Sequence, residues 1–347
     1  MRRLVSSTTV HAGAVARVAA AAVVTALLFA SAACGSLSEN APGPPGGGER
    51  ESTKDERSAG GLDKVRVGAI PIVDVAPLHL GKAKGFFEEQ NIDLEVVNTT
   101  GGAAAVPGVV SGDFDFAFGN VTSLIIARSQ NIPLKAIANG NASTGEVGKD
   151  FGGIVVPEDS PINSAKDLAG KTVAINNLQN ISDTTTRASI RKDGGDPTGV
   201  RFSELPFPEM PAAVANHRVD AAMVVEPFLT IAMDQGAKLV ASNFADPAPD
   251  LTIACYFTTE KVIAEESDLT KRFTAAIEKS LAYADEHPDE AREILSTYTE
   301  IDPAVADKIV LPAWPPDVNA DAVQTLADLM YEDGLIKEKF DVGDVLP

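Results

Sequence analysis

Short hydrophobic runs alternate with amphipathic stretches from Val65 to Asp234. Apolar runs bounded by turn residues predict buried strands, and apolar residues recurring every three to four positions predict helices. The predicted strands are Val65–Ile70, Ile92–Val97, Phe114–Phe118, Leu134–Ala138, Thr172–Ile175, Val200–Leu205 and Ala221–Val225. The predicted helices are Pro77–Lys84, Ala103–Ser111, Thr122–Ser129, Thr184–Lys192, Pro211–Asn216 and Pro227–Asp234. This alternation predicts an α/β protein with mostly parallel sheets covered by helices on both faces.

The pattern changes after Leu251–Phe257, an apolar run that predicts a buried strand and contains Cys255. Cys255 is expected to be a small core residue, because a thiol in a buried strand behaves as a hydrophobic side chain. Beyond Glu260 helical periodicity continues to the end of the chain. The predicted helices there are Leu269–Ala284, Asp289–Tyr298, Pro303–Ile309 and Ala320–Tyr331.

The N-terminus has a third pattern, in which the apolar stretch Val18–Ala30 follows a basic start and ends in small residues before Cys34. This order is typical of a secretory signal. With cysteine at the cut site it resembles a bacterial lipoprotein signal, so residues 1–33 are predicted to be a signal peptide and Cys34 the lipidated N-terminus. A plain secretory signal with an incidental cysteine is one alternative. The other is a transmembrane anchor, for which the stretch is shorter than the ~20 apolar residues of a bilayer span.

Residues 34–61 predict a flexible tether. The segment is rich in proline, glycine and charged residues and has no apolar periodicity, so it cannot bury enough surface to fold. About 27 residues of such a chain span roughly 30 Å on average. The predicted location is therefore the extracytoplasmic face of the cell membrane, with a folded body held by the lipid on Cys34.

Charge and length narrow the possible functions. The formal net charge is −20 at pH 7, and removal of the basic leader makes the remainder more negative. This charge argues against nucleic acid or anionic lipid as a direct partner, because both would be repelled. The roughly 310 residues that remain suffice for one large or two medium domains.

Polar residues follow several of the predicted strands, and a helix begins soon after each of them. Asp74 follows the first strand, Asn120 follows Phe114–Phe118, and Asn176–Asn180 follows Thr172–Ile175. Open sheets bind ligands at the carboxyl ends of their strands. Free N–H groups at helix N-termini suit anionic or acceptor-rich ligands. The sequence therefore predicts a ligand-binding cleft at these strand ends.

Four segments carry a family resemblance. They are Ala76–Leu94, which contains Gly85-Phe86-Phe87, then Ser111–Ala117, Asp167–Ala174 and Val219–Pro227. In this order they resemble the solute-binding proteins of bacterial ABC importers, in the superfamily for nitrate, sulfonates, taurine and thiamine-pyrimidine precursors. The likeness covers about residues 64–241.

The resemblance implies an α/β, two-lobed periplasmic-binding-protein-like (type II) fold with a hinge and a central cleft. One lobe would comprise residues 62–156 and 253–347 and the other residues 157–250, with hinges near Pro157 and Asp250. Such a protein closes its lobes on a small solute and delivers it to a membrane permease and its ATPase. It would act as a monomer, without a cofactor or metal and without nucleic acid.

The resemblance also places ligand-binding residues at the strand ends. They are Asp74, Ala76, Asn120, Val121, Thr122, Asn141, Asn177, Leu178, Ser182, Asp183, Thr184, Glu209 and Glu226.

Four of these residues are acids, Asp74, Asp183, Glu209 and Glu226, and none is lysine or arginine. Buried carboxylates facing an anion are costly, so an organic nitrogenous or heteroaromatic solute is favoured over a sulfonate. The acids also have structural interpretations, as a helix N-cap, an Asx-turn residue or a solvated acid near a helix start. Arg187, one turn into its helix, could reach inward and restore an anion site.

Two other functional classes stay open. A pyrimidine-precursor synthase resembles this family, but such enzymes carry a cysteine-rich iron-binding motif, and the predicted folded part has one cysteine, Cys255. The four histidines are dispersed without metal-ligand spacing. A ligand-sensing lipoprotein that works without a transporter is the second alternative. The expected function is therefore binding, not catalysis.

Overall fold

The computed structural model describes residues 61–347, so the predicted signal peptide, Cys34 and the tether up to residue 60 lie outside the described residues. Within this range ten strands form two five-stranded sheets. In chain order the strands are β1 (Asp63–Ala69), β2 (Ile92–Asn98), β3 (Phe116–Asn120), β4 (Leu134–Ala142), β5 (Gly152–Val156), β6 (Thr172–Ile175), β7 (Arg201–Glu204), β8 (Ala221–Val225), β9 (Lys238–Ala241) and β10 (Thr252–Thr259).

Both sheets are mixed. The first has the strand order β2-β1-β3-β10-β4 and the second the order β7-β6-β8-β5-β9. In each sheet one strand is antiparallel to both neighbours, β10 beside β3 and β4, and β5 beside β8 and β9. The pairs β1–β2, β1–β3, β6–β7 and β6–β8 are parallel. The predicted α/β class is confirmed.

Two connections carry the chain between the sheets. Residues 143–151 lead from β4 to β5, and residues 242–251 lead back from β9 to β10. We call residues 61–142 together with 252–347 the first half, and residues 152–241 the second half. The antiparallel strands β5 and β10 are the ones that the chain enters directly after each connection.

Strand β5 lies in the second half, although the sequence analysis placed its residues in the first lobe. It pairs with β8 on one side and β9 on the other. The pairing moves the boundary from residue 156 to the connection 143–151. Its apolar pattern is diluted by Gly152-Gly153, and a Cβ on Gly153 would lie 2.4 Å from Leu239 Cδ1. Strand β9 can approach β5 this closely only because residue 153 has no side chain. The same glycine weakens the apolar pattern from which a strand would be predicted.

Helices cover both sheets. In chain order they are α1 (Ala76–Ala83), α2 (Phe86–Glu89), α3 (Gly102–Ser111), α4 (Val121–Ser129), α5 (Ile181–Lys192), α6 (Met210–Ala215), α7 (Phe228–Asp234), α8 (Glu260–Glu265), α9 (Ser267–Glu286), α10 (Pro288–Glu293), α11 (Pro303–Ala306) and α12 (Ala320–Glu332).

Most predicted helices agree with these bounds to within a few residues, and the main difference follows α10. The predicted helix Asp289–Tyr298 ends at Glu293 and continues as the 3-10 turn Ile294–Thr297. Ser296 and Thr297 donate from their hydroxyls to the carbonyl oxygens of Glu293 and Ile294. Such side-chain bonds compete with the α-helical hydrogen-bond pattern.

The core of the first half forms between its sheet and α9. Phe116 of β3 stacks on Phe273 of α9 with ring centroids 4.1 Å apart, and every residue of β10 is buried. Cys255 is buried there as expected, and burial raises its pKa to about 12. Within residues 61–347 no helix has the length and hydrophobicity of a membrane span.

Candidate functional site

The carboxyl ends of parallel strands from both sheets border one small cavity. Ile70 after β1 and Asn120 at the end of β3 line it from the first half, and Val225 and Asn176 at the ends of β8 and β6 line it from the second. Its volume is about 20 Å³, and a space of that size holds about one water molecule. Open sheets bind ligands at such strand ends, so this cavity is the candidate site.

Asp74 supplies a carboxylate to the cavity wall. It lies in the 3-10 turn Val73–Val75 after β1 and is 2% exposed. Its Oδ2 accepts a hydrogen bond from Asn141 Nδ2 at 2.9 Å, whereas Oδ1 has no partner within residues 61–347. Burial raises the pKa of Asp74 to about 7, and the bond from Asn141 offsets part of this rise. Asp74 therefore keeps one acceptor oxygen for a ligand.

Aromatic residues of the first half lie near Asp74. The hydroxyl of buried Tyr256 in β10 has no partner in the described part of the chain. Burial raises the pKa of Tyr256, and the charge of Asp74 adds to the rise. Tyr298 donates to the carbonyl oxygen of Ile72 at 3.0 Å and stacks on His79, with ring centroids 3.8 Å apart. Burial lowers the pKa of His79 to about 4, so its ring is neutral at pH 7.

The N-terminus of α4 adds uncharged polar groups on the same side. Asn120 stands at its N-cap position, lines the cavity and makes no side-chain capping bond. Thr122 and Ser123 in the first turn are buried, and their hydroxyl oxygens have no partner among the residues that the structure describes. Backbone N–H groups in the first turn of a helix also lack intrahelical partners. Of these three residues only Asn120 lines the cavity, and its side-chain amide provides a donor and an acceptor without a formal charge.

The turn from β6 into α5 forms the facing wall. Asn180 is the N-cap of α5 and accepts from Ser182 N at 3.0 Å, and its Nδ2 donates to Asn176 Oδ1 at 2.9 Å. Asn176 Nδ2 donates to the carbonyl oxygen of Thr100 at 3.3 Å. Because Thr100 belongs to the first half, this bond spans the cleft and holds the two walls close together.

Arg187 makes its contacts away from the cavity. Its Nε donates to Asp183 Oδ1 at 2.5 Å, its Nη1 donates to Pro197 O at 3.1 Å, and its guanidinium lies 5.0 Å from the ring centre of Phe202. Burial raises the pKa of Asp183, and Arg187 offsets this effect. In the described residues no lysine, arginine or histidine lines the cavity.

Glu226 follows β8 and has its carboxylate occupied by protein donors. It is 2% exposed and accepts from Thr230 N at 3.0 Å, from Thr230 Oγ1 at 2.8 Å and from Val310 N at 3.3 Å. Its carbonyl oxygen accepts from Val73 N at 3.2 Å. Burial raises the pKa of Glu226 to about 7, and the bonds from Thr230 and Val310 offset part of the rise. Val73 and Val310 belong to the first half, so Glu226 bridges the halves.

The predicted binding residues fall into three groups. Asp74, Asn120 and Ser182 line the cavity. Leu178, which is 48% exposed, and Glu209, which is exposed at the start of α6, lie outside the lining. The others are buried without being part of that lining: Ala76, Val121, Thr122, Asn141, Asn177, Asp183, Thr184 and Glu226.

The structure adds residues that the sequence analysis did not select. Gly101 and Gly102 begin α3 at the cavity, and a Cβ on Gly102 would lie 2.8 Å from Gly119 Cα. Phe207 of the second half and Phe244 of the connection 242–251 also line the cavity. The position of the two glycines between a strand and a helix could have identified them as site residues from the sequence. Nothing in the sequence around the two phenylalanines indicates that they lie at the site.

The chain matches the profile of a known protein family. The profile described as NMT1/THI5 like matches residues 72–291. The chain belongs to the NMT1/THI5-like family. The matched range includes both Asp74 and Glu226, and within residues 61–347 no group of histidine, cysteine and acidic side chains could hold a metal ion.

Relatives of this NMT1/THI5-like chain are named as binding proteins. A putative aliphatic sulfonates-binding protein of Bacillus subtilis is 26% identical over 297 residues, which are 82% of this chain and 86% of that protein. The formylaminopyrimidine-binding protein of Halalkalibacterium halodurans is 22% identical over 223 residues, which are 63% of this chain and 65% of that protein.

Solved structures resemble this NMT1/THI5-like chain over most of its length. The periplasmic nitrate-binding protein NrtA from Synechocystis PCC 6803 has a TM-score of 0.69 at 17% identity, over 82% of this chain and 86% of that one. The chain thus has the periplasmic-binding-protein fold, and the predicted fold and family are confirmed.

Proposed function

We propose that the chain is the solute-binding protein of an ABC importer, which closes two lobes on a small solute and hands it to a membrane permease. The observation that carries the proposal is the cavity between the two halves, bordered by strand ends of both sheets. Its lining is mostly apolar, and a few polar side chains, among them Asp74, face it. Relatives named for binding sulfonates and formylaminopyrimidine support it. The proposed role is binding without chemical conversion.

The two chain connections between the halves allow the proposed closing of the lobes around a solute. The proposed lobes are the two halves, which residues 143–151 and 242–251 join. A cavity of about 20 Å³ holds about one water molecule, so a solute with several heavy atoms enters only when the lobes separate. Proteins with two lobes commonly open and close by hinge motion in the connections between them.

The proposed solute carries hydrogen-bond donors, as an amine, amidine or aminopyrimidine does. Asp74 Oδ1 is a buried acceptor with no partner in residues 61–347. An acceptor left unsatisfied in a buried site costs free energy, which a ligand N–H group would recover. A sulfonate or nitrate would instead face this carboxylate without a cationic side chain in the described lining.

The proposed location is the extracytoplasmic face of the cell membrane, with the protein held by a lipid on Cys34 and acting as a monomer. The support is the N-terminal pattern, with its basic start, apolar stretch and small residues before Cys34. The proposed partners are the permease and ATPase of the importer. A tether of about 27 residues, spanning roughly 30 Å, would keep the binding lobes within reach of the permease.

A thermal-shift screen of amines, aminopyrimidines, taurine, alkanesulfonates and nitrate tests the function. A true solute at a hundredfold excess over Kd stabilises the folded protein by about 2.7 kcal/mol, and mass spectrometry should recover it unchanged. The exposed variant Glu209→Gln is the matched control and should give the same shifts. If only anions shift the melting temperature, the proposed solute class is wrong. A chemically altered solute would contradict the binding role.

A further inference from the structure

Helix α5 of the second half begins at the cavity, which Ile181 and Ser182 line, and meets helices of the first half. It packs against α12 and α4. Three consecutive polar residues in it, Thr184, Thr185 and Thr186, are 0% exposed. The hydroxyls of Thr184 and Thr185 donate to the carbonyl oxygens of Asn180 and Ile181 in the same helix, so the helix itself compensates their burial.

The last turn of α5 makes the strongest polar contact of this interface. Arg191 donates from Nη1 to Asp333 Oδ2 at 3.2 Å and from Nη2 to Asp333 Oδ1, so the pair is bidentate. Arg191 Nε also lies 3.4 Å from Glu332 Oε1. Bidentate guanidinium–carboxylate pairs are stronger and more directional than single contacts between charged groups.

Within residues 61–347, Arg191 is the only basic residue that forms an ion pair with Asp333. Its side chain is 4% exposed, whereas that of Arg191 is 27% exposed. Asp333 is also the C-cap of α12, where the helix dipole disfavours an anion. Burial raises the pKa of Asp183, and the charge of Asp333 adds to that rise. Without Arg191, this side of the interface would hold buried negative charge.

We infer that Arg191 and Asp333 form a positioning pair that sets how readily the two halves close, although neither residue lines the cavity. The inference rests on the proposed closing motion. Separation of the halves exposes both side chains to water, whereas closure removes Asp333 from water. Closure is favourable only when Arg191 replaces the lost hydration, because an unpaired buried charge is strongly penalised.

A second ion pair between the two halves, away from α5 and α12, provides a matched control. Lys308 of the first half lies 2.8 Å from Asp234 at the end of α7, with side chains 56% and 46% exposed. Exposed pairs contribute little, since water solvates both groups in either state. Removing Lys308 should therefore leave the balance between open and closed forms almost unchanged.

Distance measurement between spin labels tests the inference without any solute. The full chain would carry Cys34→Ser, with labels on Thr198→Cys in the second half and Lys337→Cys in the first, both exposed positions; Cys255 is buried and is protected from labelling. The variants are Arg191→Asp, the exchange Arg191→Asp with Asp333→Arg, and Lys308→Ala. Circular dichroism checks that each is folded.

Arg191→Asp should raise the ratio of long to short label distances about tenfold or more, because it leaves like charges facing each other. The exchange should restore the parent distribution, and Lys308→Ala should match the parent. A folded Arg191→Asp with the parent distribution, or an exchange that restores nothing, would overturn the inference. If the fraction of long distances were the same in the parent and in every variant, the inference would be wrong, although the proposed opening and closing of the halves would still stand. A single fixed distance in every variant would count against the proposed function as well.

Discussion

Asp74 and Glu226 are two buried carboxylates at strand ends on opposite sides of the cleft. Each is 2% exposed, and burial raises the pKa of each to about 7. Their hydrogen bonds differ. Both oxygens of Glu226 accept from Thr230 or Val310, whereas Asp74 Oδ1 has no partner within residues 61–347. Equal burial and equal pKa therefore do not imply equal roles, and the distribution of donors separates them.

The comparison assigns the two residues different tasks. Asp74 presents an acceptor to the cavity, so it suits a ligand donor. Glu226 ties the start of α7 to Val310 and, through its carbonyl oxygen, to Val73. Its contribution is to the contact between the halves. Substitutions at the two residues should therefore have different effects on stability and on solute binding.

Asp74→Asn is expected to raise the free energy of unfolding at pH 8 by about 4 kcal/mol, because burial raises the pKa from 3.8 to about 7, a pKa unit corresponds to about 1.4 kcal/mol, and the variant removes the buried charge. Between about pH 4 and pH 7 the folded chain retains a proton on Asp74 that the unfolded chain has released. Stability from this group is therefore lost as pH rises through that window. Urea unfolding at pH 5 and pH 8 should show a smaller difference at the lower pH. A difference independent of pH would contradict the assignment.

Glu226→Gln should change the unfolding free energy at pH 8 by less than about 1 kcal/mol. Removal of the buried charge is favourable, but the new amide brings hydrogens to a place where Thr230 and Val310 already donate. The donor left without an acceptor costs about 1–3 kcal/mol, which offsets the gain. The same urea experiment measures it. Stabilisation as large as that of Asp74→Asn would show that the donors around Glu226 are unimportant.

Glu209→Gln should have the smallest effect. Its side chain is exposed at the start of α6 and outside the cavity lining, so neither the melting temperature nor the solute affinity should change. Calorimetric melting and a solute titration check both expectations. A clear loss of affinity would place α6 at the site and weaken the contrast between Asp74 and Glu226.

Much of the fold was predictable because its signals are local. Amphipathic periodicity gave α9 and α12, and strand and turn signals located β1, β6 and β8 within a few residues. Strand β5 was missed because its first two residues are glycines, which leave an apolar run of only three residues. The glycines serve contacts with distant residues such as Leu239, which no local pattern records.

The site was predictable only in part, for the same reason. Sequence position identified Asp74 and Glu226 as strand-end acids but could not separate them. The difference lies in partners far along the chain, since Asn141 is 67 residues from Asp74 and Val310 is 84 residues from Glu226. The direction of Arg187, toward Asp183 and not toward the cavity, likewise depends on the packed structure.

Isothermal titration calorimetry tests the central claim most directly. The probe is the amine or aminopyrimidine with the largest shift in the thermal screen, titrated into the parent, Asp74→Asn and Glu226→Gln at pH 8, above the pKa of about 7 of Asp74. The account predicts a loss of affinity of about tenfold to a hundredfold for Asp74→Asn, since a hydrogen bond to a charged group contributes about 1.5–3 kcal/mol, and a change below about threefold for Glu226→Gln. Unchanged affinity in Asp74→Asn, or an equal loss in both variants, would contradict it.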